Sequence, residues 1–126
     1  MAGQLESVLK GMFDALGRDA DPEALLGHFS EEPQGIDELS REWMRGREAL
    51  ERYTRGMLSQ VKDVKSEISD FHEVIMGDIG LATFWLEQDY TLEGERHHVS
   101  APSSAVLRHE GGEWKIVIFH SIPLSQ

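Results

Sequence analysis

The 126-residue chain carries 23 acidic against 12 basic side chains, a formal net charge of −11, and no cysteine. One domain over residues 1–126 is the expectation at this length, and disulfides, thiolate metal sites and cysteine nucleophiles are excluded. Both halves are acidic, so neither nucleic acid nor an anionic membrane is an expected partner. The start lacks the basic end and apolar block of a signal peptide, which makes the cytoplasm the expected location.

Leu5, Val8, Leu9, Met12, Phe13 and Leu16 fall on one apolar stripe at helical spacing. Gly17 is expected to end that helix by taking a left-handed backbone. Asp21-Pro22-Glu23 restarts a short second helix with an oxygen cap, a proline at the first turn and an acid near the positive dipole end. Glu31 to Arg41 is polar, with Pro33 and Gly35, and predicts at most a short edge strand. A third helix follows Gly46, with Leu50, Tyr53, Met57, Leu58 and Val61 at helical spacing.

From Val64 onward the period becomes two. Strands are predicted over Val64–Met76, Ile79–Thr91, His97–His109 and Trp114–His120, joined by Gly77-Asp78, Leu92–Glu95 and Gly111-Gly112. Helices first and a meander after predict an α+β domain, the helices packed on one face of a curved antiparallel sheet.

Gly46-Arg47-Glu48-Ala49-Leu50, Gly77-Asp78 and the closing run from Gly112-Glu113-Trp114 to Phe119-His120 resemble the SnoaL-like families. Those belong to the nuclear transport factor 2-like (NTF2-like), or cystatin-like, superfamily. The final strand is similar to that of the association domain of calcium/calmodulin-dependent protein kinase. The resemblance covers essentially the whole chain, and Gly-x-Trp-x-Ile-Val-x-Phe-His is its most specific piece. It implies a cone-shaped barrel of strongly curved sheet wrapped on three helices, a pocket in the cone, and a homodimer through the outer sheet face. It implies little about chemistry, since isomerases, dehydratases, cyclases and assembly domains share the fold.

Alignment on Trp114 and Gly77 puts Glu87, Ala105 and Ser121 where some relatives carry pocket arginines, which implies a ligand other than an anion. In that register Thr83, Trp85, Glu87 and Asp89 face inward, as do Val117, Phe119 and Ser121, while Phe84, Leu86, Ile116 and Ile118 form an apolar outer patch suited to a second copy. The opposite register, with Phe84, Leu86, Gln88 and Tyr90 inward, is also hydrophobic enough to stand. Glu87 and Asp89 beside Trp85 are the candidate catalytic pair, because a carboxylate walled off by an aromatic becomes a usable acid or base near neutral pH; the plain alternative is two solvated acids near a strand end. Ligand contacts are expected from Trp43, Tyr53, His72, Trp85, Phe119 and Ser121, with core packing the simpler role for Tyr53. The six histidines show no metal spacing, and a site built from His72, His98 and Asp89 is disfavoured. No phosphate loop, dinucleotide fingerprint or nucleophile elbow occurs, so no cofactor is expected. Three functions follow: binding of a small, mostly apolar neutral ligand, acid–base catalysis of the isomerase, cyclase or dehydratase kind, or an assembly module.

Overall fold

The computed structural model describes residues 3–124. Helix α1 spans Gln4–Gly17 and α2 spans Pro22–Leu26. Strands β1 (Phe29–Asp37) and β2 (Met44–Arg45) precede helix α3 (Arg47–Gln60). Four long strands follow: β3 (Val61–Met76), β4 (Ile79–Leu92), β5 (Glu95–Glu110) and β6 (Glu113–Ser121). They form one open sheet in the order β2-β1-β6-β5-β4-β3. The α+β class, the three helices and the antiparallel meander of the last four strands are as expected. No helix among the described residues is long and apolar enough to cross a membrane.

Local chemistry explains the helix boundaries. The Asp21 carboxylate accepts from the backbone N–H groups of Glu23 and Ala24 at 3.0 and 3.3 Å, with Pro22 in the first turn. Gly17 does a different job from the expected one. The residue after it, Arg18, remains right-handed, and the positive φ falls on Ala20 at 46°. A Cβ at Gly17 would lie 2.6 Å from the Val64 carbonyl oxygen, so glycine there permits α1 to sit against β3.

The nine-residue β1 is a correction to the short edge strand. It lies inside the sheet, antiparallel to β2 and parallel to β6, so one pair departs from the antiparallel rule. Its register on β6 slips between Phe29 and Gln34. The Arg47 guanidinium donates to the Phe29 and Ser30 carbonyls at 2.9 and 3.0 Å, satisfying backbone acceptors that the irregular pairing leaves free.

The inner face of β4 is the even-numbered one. Ala82, Phe84, Leu86, Gln88 and Tyr90 are buried, whereas Leu81 and Thr83 are exposed and Trp85, Glu87 and Asp89 are half-buried. This corrects the proposed register: Phe84 and Leu86 are core residues, and Glu87 and Asp89 are on the outer face. Phe84 packs edge-on to Phe13 of α1 and stacks on Phe71 of β3 at a centroid distance of 5.6 Å. On β6, Phe119 and Ser121 pair with the inward residues Ala105 and Ser103. Ile116 is fully buried opposite Leu107, not outside as expected, because the register shifts between Val106 and Leu107 and leaves Val117 as the extra residue. β3 also breaks its alternation. Asp70 has φ 50° and the ladder skips between Ser69 and His72, so Ile68 and Phe71 both pack on the core.

The register yields a direct test by equilibrium unfolding. Leu86→Ala is expected to cost about 2–5 kcal/mol and Leu81→Ala, five residues away on the same strand, less than about 1 kcal/mol. Equal losses would contradict the inward side assigned to β4.

Candidate functional site

A cavity of about 70 Å³ lies between α1, α2, α3 and the inner sheet face. Its wall is mostly apolar, including Phe13, Phe29, Leu50, Leu86 and Phe119, and Met12, Met44 and Met57 give it side chains that repack easily. Four polar residues line it: Asp37, Glu38, Gln88 and Ser121. Among the described residues, no Lys, Arg or His does. A space of this size takes several waters or a small organic molecule.

The polar end is built at the close of β1. The Asp37 Oδ1 accepts from the backbone N–H groups of Leu39 and Ser40 at 3.0 and 2.9 Å, and the Ser40 hydroxyl lies 3.0 Å from the Asp37 N–H that donates to it. This reciprocal cap turns the chain sharply and holds Glu38 at the cavity. The Tyr53 hydroxyl, from α3, reaches both Asp37 oxygens at 2.8 and 2.9 Å. Burial, then the neighbouring Asp37 charge, pushes the Glu38 carboxyl up to about 7 from its ordinary 4.5. Burial likewise raises Tyr53, with Asp37 adding to it, and raises Tyr90, with Glu38 and Asp37 adding to it. Two phenols and the Glu38 carboxyl, each binding its proton more tightly than usual, thus gather around Asp37.

The structure scatters the residues singled out from sequence. Phe119 and Ser121 line the cavity, and Tyr53 packs beside it with its hydroxyl committed to Asp37. Trp43 is 38% exposed, with the Arg45 guanidinium 5.7 Å from its ring centroid. His72 is exposed and bonded to Asp70 at 3.2 Å, and with Trp85 it borders a shallow groove on the outer face. Glu87 and Asp89 clasp His98 there: Nδ1 is 2.7 Å from Asp89 and Nε2 is 2.9 Å from Glu87. The Ser100 hydroxyl donates to Glu87 at 2.9 Å and itself accepts from the Trp85 indole N–H. Asp89 first, with Glu87 helping, raises the His98 imidazole above its usual value. Trp85, Glu87 and Asp89 therefore lie across the sheet from the cavity, a correction to the expected pocket face.

Asp37 and Glu38 escaped the sequence reading because β1 looks too polar for an inner strand. The available signal was the run Ile36-Asp37-Glu38-Leu39, two acids bracketed by apolar residues, with Ser40 placed to cap.

The match to the SnoaL-like domain family runs over residues 5–125. The chain is a SnoaL-like domain. Solved structures carry the same fold at low identity. A protein described as a candidate dehydratase of the NTF2-like family from Streptomyces avermitilis superposes with a TM-score of 0.86 at 16% identity, covering 98% of this chain and 95% of that one. A ketosteroid isomerase-like protein from Erwinia carotovora atroseptica gives 0.81 at 17%, with the same coverages. A protein described as a candidate calcium/calmodulin-dependent protein kinase II association domain from Xanthomonas campestris gives 0.84 at 19%, covering 99% and 91%. No curated protein sequence matches the chain. For this SnoaL-like domain the neighbours show an NTF2-like, cystatin-like fold.

The Glu38 environment makes stability depend on pH in a defined direction. Its folded-state value, about 7, lies above the ordinary 4.5, so the folded state holds the proton more tightly and loses stability as pH rises from 4.5 through 7. Glu38→Gln keeps the neutral form at every pH. Urea unfolding is expected to find the variant more stable than wild type by about 1 kcal/mol near pH 8, after allowing for the half-exposed position, and about equal near pH 4.5.

Proposed function

We propose that this SnoaL-like domain is a cytoplasmic protein that binds a small, neutral, mostly apolar carbonyl compound in the cavity and moves a proton on it with Glu38. The observation that carries this reading is a half-buried carboxyl, with its proton affinity shifted into the neutral range, on the wall of an apolar cavity lined by no cationic side chain among the described residues. A base with a pKa near the working pH combines a useful ionised fraction with a strong pull on a proton. The acids at the polar end disfavour carboxylate and phosphate ligands. Asp37 orients rather than reacts, since two backbone N–H groups and a phenol already occupy its oxygens. The dehydratase and isomerase-like descriptions of structural neighbours agree in kind with proton transfer next to a carbonyl.

The test is α-proton exchange of cyclopentanone in D2O, followed by NMR. Exchange is expected to rise with pH through about 7 and then level, because the base must be ionised. Glu38→Gln is expected to lower it by about 10²–10⁴-fold. Unchanged exchange in that variant removes Glu38 as the base, and wild type that binds the ketone without exchanging it leaves binding alone as the function.

We also propose a second copy of the chain as the partner of the outer sheet face. Val74, Leu81, Val106 and Ile118 are register partners across four strands and form an apolar row, with Val74 55% and Leu81 38% exposed. Arg108, just beyond that row, is already paired with Glu110 at 2.8 Å, so apolar contact rather than charge favours the second copy. A two-fold axis running across the strands at Leu81 and Val106 lays this apolar row over the same row of the second copy. Light scattering is expected to give a dimer for wild type and a monomer for Leu81→Arg; a wild-type monomer at micromolar concentration contradicts the arrangement.

A further inference from the structure

The cavity has an acidic end and no basic counterpart. Asp37 and Glu38 line it at the close of β1, and among the described residues no Lys, Arg or His shares that wall. The two acids are held differently. Three protein donors, the Leu39 and Ser40 N–H groups and the Tyr53 hydroxyl, reach Asp37. For Glu38, only its own backbone N–H draws the carboxyl toward the ionised form, against burial and the Asp37 charge. Tyr53 on α3 and Tyr90 on β4 are the other titratable groups at this end, and both hold their protons more tightly than usual. Among the described residues, α1, α2 and β6 bring no titratable side chain to the wall.

An empty cavity leaves Glu38 one way to avoid a buried, unpaired charge, which is to take a proton. A guest that brings its own positive charge offers another, because the carboxylate then ionises and pairs with it. The rest of the wall suits such a guest. Aromatic rings such as Phe13, Phe29 and Phe119 carry negative charge on their faces, and the thioethers of Met12, Met44 and Met57 are polarisable. A metal ion would need several oxygens around it, and among the described residues no three His, Asp or Glu side chains are grouped to hold one. The cation that fits is organic, with one charged end and an apolar body.

We propose that the cavity is a site for a small apolar amine bound as its ammonium ion, the N–H groups donating to the Glu38 carboxylate and the hydrocarbon body lying against Phe13, Phe29 and Phe119. This goes beyond proton transfer on a carbonyl, since it uses the carboxyl as an ion-pair partner and does not need it to act as a base. No bond to carbon forms or breaks. The ammonium keeps its protons, and the one proton that leaves is that of Glu38, which passes to solvent. Binding below about pH 7 is thus an exchange of a cation for a proton. The empty domain holds that proton up to about 7, so amine affinity falls as pH drops through this value and is level above it. With an ammonium bound, Glu38 is not free to take a proton from carbon, so amine and ketone exclude each other.

Cyclopentylamine is the probe and cyclopentanol its neutral counterpart, with affinities read from NMR chemical-shift titrations. An alkylamine with a pKa like that of lysine, about 10.4, stays charged from about pH 5 to about pH 8. Cyclopentylamine is expected to bind about 100-fold more tightly at about pH 8 than at about pH 5, the low-pH slope corresponding to about one proton released per amine. Cyclopentanol affinity is expected not to rise with pH. Glu38→Gln is expected to lose about tenfold or more in amine affinity near pH 8, together with the pH dependence, and to keep cyclopentanol binding, which shows an intact cavity. If that variant binds neither compound, the wild-type slope decides alone. Wild-type amine affinity that is equal at the two pH values, or no tighter than that for cyclopentanol near pH 8, overturns the proposal. So does undiminished amine affinity in a Glu38→Gln domain that binds cyclopentanol. Cyclopentanone exchange without amine binding removes the amine site and leaves the base, whereas amine binding with proton release but no ketone exchange does the reverse.

Discussion

Everything inside this domain depends on the apolar stripe of α1 lying against the even-numbered side of β4. Leu5 and Leu9 are fully buried, and Phe13 meets Phe84 and Phe119 edge-on. The contact is close enough that a Cβ at Gly80 would lie 2.7 Å from Leu5 Cδ1. Two faces of one strand cannot both be inside, and a one-residue slip would carry every side chain to the other. The α1 contact thus sets the inner side of β4. Through the ladders to β5 and β6, it also determines that Ser103, Phe119 and Ser121 meet at the cavity while Glu87 and Asp89 meet His98 outside.

The cavity's polar end inverts that economy of burial. A carboxyl next to a second carboxylate, both turned toward apolar walls, is locally unfavourable unless one is neutralised by a proton. The chain ties one acid down with hydrogen bonds and raises the proton affinity of the other. Asp37 takes two backbone donors and the Tyr53 phenol, whereas Glu38, one residue later, sits at the cavity with burial and the Asp37 charge raising its pKa. Two carboxyls whose surroundings separate their roles are a common arrangement for proton transfer. The Glu87–His98–Asp89 clasp solves the same problem differently, by inserting an imidazole between two acids in contact with water.

How much of this was legible in the sequence follows from how strongly each signal excluded its rivals. The α1 stripe, the Asp21-Pro22 cap and the glycine-bearing hairpin turns each have one physical interpretation, and the elements they define are where expected. The register of β4 was ambiguous because Thr83–Trp85 and Phe84–Leu86 are both acceptable core pairs, and helix contacts from far along the chain decide between them. Alternation on β3 failed at Asp70, since a bulge with positive φ on a non-glycine residue leaves no compositional mark. β1 was under-read because two of its buried positions are Pro33 and Gly35, which carry no apolar pattern, and because its ladder to β6 is a pairing across most of the chain. Glu38 was invisible for the same reason: its surroundings come from β1, α3 and β4 together.

The central claim is that the fold raises the proton affinity of the Glu38 carboxyl into the neutral range. An NMR titration of the side-chain carboxyl carbons, with Glu38 assigned by comparison with Glu38→Gln, tests it most directly. The expected result is a midpoint at about 7 for that one signal. A midpoint near the ordinary 4.5 would mean that Glu38 is well solvated, and the proton-transfer reading of the cavity would fail.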